Sequence, residues 1–124
     1  RMSEKFSVLA RLKSFSFAFK GLWHVVRHEH NFRVHLFAAL LVIALSAYVN
    51  LTMNEWLWVI SAIAMVLVAE LFNSSIEKLV DLVSPAFNPK AGIVKDIAAA
   101  AVLITAVAAA IIGILIFYPY FFNS

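Results

Sequence analysis

Three apolar stretches, near residues 32–49, 55–83 and 89–118, dominate this chain, and each is long enough to cross a bilayer as an α-helix. A helix needs roughly 20 apolar residues for a hydrocarbon core about 30 Å thick. Of the 124 residues, 64% are apolar and only 14% charged, a balance that no soluble domain of this size carries. Lipid is therefore the solvent in which the chain folds. There are no cysteines, so disulfides and thiolate metal sites are ruled out and helix packing must supply the stability. A formal charge of +3 is compatible with nucleic-acid binding, but bilayer-length apolar runs set that class aside. The first long apolar run begins only after Arg33, so the N-terminus does not read as a cleavable signal peptide.

Residues 5–28 read as an amphipathic surface helix. Val8, Leu12, Phe15, Phe19, Leu22 and Val26 alternate at spacings of four and three, while Lys13, Lys20 and Arg27 repeat every seven. The first span, 32–49, stops at Asn50, and Thr52-Met53-Asn54-Glu55 has the capping-box pattern that opens a second helix over 55–83. That helix covers roughly 43 Å, so its last turns emerge from the hydrocarbon. Ser84-Pro85 breaks it, Asn88-Pro89 opens a third helix over 89–118, and Pro119 is expected to end it. Of the ten Lys and Arg residues, seven lie within 1–33 and three within 78–95. All therefore fall on one side, which the positive-inside rule makes cytoplasmic. Trp56, Trp58, Tyr118 and Tyr120 form an aromatic belt on the other side, and the alanines from Ala98 to Ala110 with Gly113 give a small-residue surface suited to helix association.

Glu70, Asn73, Glu77 and Asp81 lie at offsets of 0, 3, 7 and 11, within roughly 80° of one another on one helix face. Glu70 is roughly 22 Å along the helix from Glu55, in the inner part of the hydrocarbon or at its edge. An ionisable side chain at that depth needs a partner or a purpose. Lys95 and Asp96 reach nearly the same cytoplasmic level, and Glu29 and Arg33 just precede the first span. Three chain regions thus deliver charge to one layer. Glu29 and Glu77 are the kind of oxygen ligand Mg²⁺ accepts while it shares nucleotide phosphates, so a site near Lys95 suits MgATP. Glu70, deeper and partly desolvated, suits a base that takes a hydroxyl proton.

Spacing alone is also met by blander roles. Interfacial anchoring accounts for scattered charge, and Lys78 and Lys90 are assigned to it. His24, His28, His30 and His35 cluster in sequence, but no HExxH-like pattern accompanies them to make a metal site. No P-loop or kinase catalytic-loop signature is present. A non-enzymatic adaptor or small pore is the reading from another class. The apolar residues from Ile60 to Ala69, broken only by Ser61, speak against a continuous pore.

Several segments carry a more specific signal: Phe19-Lys20-Gly21-Leu22, Glu29-His30-Asn31-Phe32-Arg33, the run from Ala69 to Glu77 with Asp81, and Val94-Lys95-Asp96 followed by Ala100-Ala101-Val102-Leu103. In order and in spacing they resemble the small bacterial membrane lipid kinases, comprising diacylglycerol kinase and undecaprenol kinase. The resemblance implies an all-α homotrimer in the bacterial inner membrane, each protomer with a surface helix and three spans, and active sites between protomers on the cytoplasmic side. It implies that Glu70 is the general base and that Glu29 and Glu77 hold Mg²⁺ with ATP. Arg11, Phe17, Asn73, Lys95, Asp96 and the loop Ala86-Phe87-Asn88 would meet the nucleotide, with Trp23, Asn31 and Arg33 beside the lipid alcohol. Asn88 stands where a histidine is common, Ser75 where alanine is usual, and Arg11 is displaced by one position from the usual arginine. The stretch Glu29-x-Asn31-Phe32-Arg33-x-His35 looks more like undecaprenol kinases, making undecaprenol the expected acceptor and diacylglycerol the alternative.

Overall fold

The computed structural model describes residues 7–122 as four helices: α1 (Val8–His28), α2 (His30–Val49), α3 (Met53–Val83) and α4 (Pro89–Phe122). The last three are each long and apolar enough to cross a membrane. The protein is thus an all-helical, multi-pass membrane protein. The start of the helix expected from residue 5 lies outside the described residues.

Local chemistry sets each boundary. Ser7 accepts the Ala10 backbone N–H at 2.9 Å and opens α1. Glu29, with extended backbone angles, separates α1 from α2 by a single residue. The carbonyls left unpaired at the end of α1 are taken up from the next helix: Arg33 donates from Nη1 to Arg27 O at 2.8 Å and to Val26 O at 3.2 Å. At the other end of α2, Asn50 adopts the left-handed conformation at φ 57°, which asparagine tolerates better than most side chains, and the chain reverses.

The expected capping box forms in full. Thr52 Oγ1 accepts from the Glu55 N–H at 3.2 Å, and Glu55 Oε1 accepts from the Thr52 N–H at 2.9 Å. Thr52→Ala is expected to cost about 1 kcal/mol, read as a lower thermal unfolding midpoint in detergent micelles. Ser84 ends α3, and Asn88 Oδ1 accepts from Lys90 N–H at 2.9 Å to open α4.

One boundary differs from the sequence expectation. Pro119 does not end α4, which continues to Phe122. Proline removes a single i→i−4 hydrogen bond, and this one lies in the final turn, where little helix remains to disrupt. That turn is also held by side chains: Tyr118 and Phe122 stack within it at 4.9 Å, and the Tyr120 hydroxyl donates to Glu55 Oε1 of α3. The turn end of α3 and the C-terminal end of α4 are thereby tied together.

Packing is organised around α3, which contacts both α2 and α4, while α1 rests against α2. The buried residues of α3 are Val59, Ala62, Val66, Glu70 and Ser74, a stripe at spacings of three and four that is apolar until it reaches Glu70. On α2 the buried positions Phe32, Ala39 and Ser46 recur every seven residues. Phe32 is 1% exposed, and the buried Ser46 hydroxyl is satisfied by donating to Val42 O at 2.7 Å. Ala98 and Val102 supply the buried positions of α4. Small side chains at these contacts let helices approach closely, the packing that lipid favours.

Candidate active site

The α1–α2 elbow and the α3–α4 connection lie at the same end of the bundle, because Lys78 Nζ stands 3.8 Å from Glu29 Oε1. Three polar contacts join the helices there. The deepest pairs α2 with α3: His35 Nε2 lies 3.0 Å from Glu70 Oε1, and Glu70 is only 5% exposed. The second is the Lys78–Glu29 pair between α3 and the elbow. The third joins α3 to α4, with Lys95 Nζ donating to Asp81 Oδ1 at 2.6 Å. Within the stripe, Glu70 thus meets a partner from α2 and Asp81 a partner from α4, while the adjacent Lys78 meets the elbow.

Lys78, expected from sequence to be an interfacial anchor, is half-exposed and also reaches toward Glu29. Asn73, three residues beyond Glu70, keeps its buried Oδ1 without a hydrogen-bond partner. A buried acceptor left open is costly in isolation, which suits a position that meets a donor from a bound molecule. Asp96, Ala86, Phe87, Asn88, Trp23 and Asn31 are exposed at or near this end, while Arg33 is engaged with the end of α1. Arg11 and Phe17 lie on α1, where Lys20 Nζ sits 5.7 Å from the centre of the Phe17 ring.

Among the described residues no group of three or more His, Cys, Asp and Glu side chains converges as a metal cage. The donors available near the elbow are hard carboxylate oxygens, from Glu29 at the elbow and from Glu77 and Asp81 on α3. Sequence alone does not mark His35 as the partner of Glu70. The signal for it was present: Glu70 demanded a partner at its depth, and His35 lies on α2 between the buried Phe32 and Ala39.

On the apolar side of this layer, a cavity of about 240 Å³ lies between α2, α3 and α4, with Ala38, Val42, Val66, Ala109 and Gly113 among its walls. His35 also lines it. A polar layer and an apolar cavity thus meet at the His35–Glu70 pair. Such a junction can bring a water-borne phosphate compound and a lipid to the same carboxylate.

Fold and site together define a multi-pass membrane protein with a buried His–Glu pair where its helix bundle turns polar. Residues 16–117 match the model of the prokaryotic diacylglycerol kinase family, and the chain belongs to that family. It is 41% identical over 107 residues to an undecaprenol kinase of Bacillus subtilis, covering 86% of this chain and 87% of that protein. It is 37% identical over 106 residues to a diacylglycerol kinase of Helicobacter pylori, covering 80% of this chain and 83% of the relative. Identity to a diacylglycerol kinase of Escherichia coli is 28% over 110 residues, covering 89% and 90%. The chain is therefore a lipid kinase, and the adaptor or pore reading is set aside.

Proposed function

We propose that this lipid kinase transfers the γ-phosphoryl group of ATP to the hydroxyl of undecaprenol, forming undecaprenyl phosphate and ADP, with Glu70 as general base. The observation that carries the reading is the placement of Glu70: buried, at the first polar position of the α3 stripe, and beside a residue that lines an apolar cavity. A base in that place meets a hydroxyl arriving from the lipid side. As the lipid oxygen attacks the γ-phosphorus, its proton passes to Glu70, the bond between the phosphorus and the bridging oxygen breaks, and ADP departs. The proton then returns to water.

The donor set near the elbow fits Mg²⁺, which takes one or two carboxylates and completes its octahedron with water and phosphate oxygens rather than with a protein cage. Glu29 and Glu77 would hold it; bound with ATP, it supplies neutralisation of phosphate charge. Lys95 adds a cation beside the phosphates, and Asn73 offers its open acceptor. Asp96 and the loop Ala86-Phe87-Asn88 border the nucleotide, with Arg11 and Phe17 approaching it from α1. On the lipid side Trp23, Asn31 and Arg33 flank the entry to Glu70.

The charge asymmetry supports a cytoplasmic site in the bacterial inner membrane, with α1 lying amphipathically at the headgroups. The apolar window of α4 is 0% buried within one protomer, and together with its small-residue surface this supports assembly as a homotrimer. The acceptor is the finer point. Undecaprenol is supported by the likeness to the Bacillus subtilis protein, while the likeness to several diacylglycerol kinases keeps diacylglycerol as the second reading. The test is ATP-dependent phosphate transfer by the purified protein with Mg²⁺ in micelles, to undecaprenol and diacylglycerol in parallel. Faster labelling of undecaprenol is expected. Faster labelling of diacylglycerol overturns the acceptor and keeps the chemistry; labelling of neither by folded protein overturns the reading.

A further inference from the structure

A buried carboxylate is costly unless something compensates its charge, and removing its partner is worse than never having the pair. For Glu70 the compensating group is His35, 3.0 Å away, and the two side chains are unequally exposed: 28% for His35 against 7% for Glu70. The imidazole is the accessible member, and the carboxylate lies behind it. His35 is also the one polar side chain among those lining the α2–α3–α4 cavity. Its place is set by α2 packing, since Phe32 and Ala39 are buried three residues before and four residues after it. The imidazole thus touches the carboxylate on one side and the apolar cavity on the other.

The geometry points to His35 as a positioning residue for the phosphoryl transfer: its imidazole, set between the apolar cavity and the Glu70 carboxylate, holds the orientation in which Glu70 meets the lipid hydroxyl. The inference rests on the reading of Glu70 as general base. His35 forms and breaks no bond to phosphorus, and the proton taken from the hydroxyl resides on Glu70. What His35 contributes is direction and a polar partner for the carboxylate, in the way that groups behind a reacting residue govern its orientation elsewhere. A residue that only stapled α2 to α3 would carry stability and leave the rate per folded molecule alone.

The test compares His35→Leu and His35→Gln in the full chain. Because the leucine cannot pair with the carboxylate, kcat is expected to fall about 30-fold while KM for ATP stays within about twofold. The glutamine, whose amide N–H can reach the carboxylate, is expected to recover most of the loss. A second readout does not depend on turnover. In protein labelled with ¹⁵N at histidine, Glu70→Gln is expected to shift the ring signals of His35 and leave those of His24, His28 and His30 in place. Unchanged kcat in His35→Leu overturns the inference. So does an equal loss in both variants, or a His35 signal that does not respond to Glu70→Gln; the last decides the matter even where a His35 variant fails to fold. A wild-type protein inactive toward both lipids overturns the substrate reading instead, and the ring signals still report the pair.

Discussion

Replacing Glu70 with Gln is expected to lower lipid phosphorylation by about 10³-fold, within the span that loss of a general base produces. The amide keeps the size and shape of the side chain, so the α3 stripe of Val59, Ala62, Val66 and Ser74 has no reason to repack. It cannot accept the hydroxyl proton, and it sets a neutral amide instead of a carboxylate beside His35 Nε2, 3.0 Å away in the parent protein. The rate should therefore collapse while helical content and assembly persist. Phosphate transfer to undecaprenol, circular dichroism and size-exclusion chromatography in the same micelles measure all three. Loss of assembly with a proportionate loss of rate would make Glu70 a structural carboxylate and remove the base from the mechanism.

The largest effect on stability is expected at Phe32. Its ring is 1% exposed, next to the elbow where Glu29 separates two helices and Arg33 closes the end of the first. Phe32→Ala is expected to cost about 3 kcal/mol, toward the lower end of what a buried aromatic loses in a soluble core. The discount follows from the solvent. Lipid is as apolar as the ring, so the deficit is unfilled packing volume rather than hydration. Unfolding by dodecyl sulfate in mixed micelles measures it, with Phe37→Ala as the control, since Phe37 is 64% exposed. The control should stay within about 0.5 kcal/mol of the parent protein. A comparable loss at both positions would show that side-chain burial in one protomer does not govern stability here.

Much of this architecture is legible before any coordinates because its signals are local. Apolar length marks the spans. Asn50, Thr52 with Glu55, Ser84 and Asn88 mark their ends by chemistry contained within a few residues. The shared face of Glu70, Asn73, Glu77 and Asp81 follows from helical periodicity alone. Pro119 fails as a stop because its effect depends on what remains beyond it and on a hydroxyl reaching Glu55 from 65 residues away. Distance in sequence hides the rest of the site as well. Periodicity requires a partner for Glu70 without identifying it, because His35 reaches it across a helix contact. The contact of Lys78 with Glu29 depends on the elbow, and Asn73 reveals its open acceptor only once burial is known.

The helices are unequal in length, and the inequality ties the chemistry to the membrane's own dimensions. At 1.5 Å per residue α2, with 20 residues, reaches about 30 Å, whereas α3 and α4, with 31 and 34, reach about 46 and 51 Å. The short turn after α2 and the Tyr120–Glu55 link bring the ends together on one side, so the surplus length projects at the charged end. α2 therefore has no slack against a hydrocarbon core of about 30 Å, and it carries His35 near its start. A bilayer a few ångströms thicker draws the His35–Glu70 pair below the headgroups, and a thinner one lifts it toward water. Acyl-chain length in the surrounding lipid is therefore expected to alter turnover, read as phosphate transfer in bilayers of different thickness.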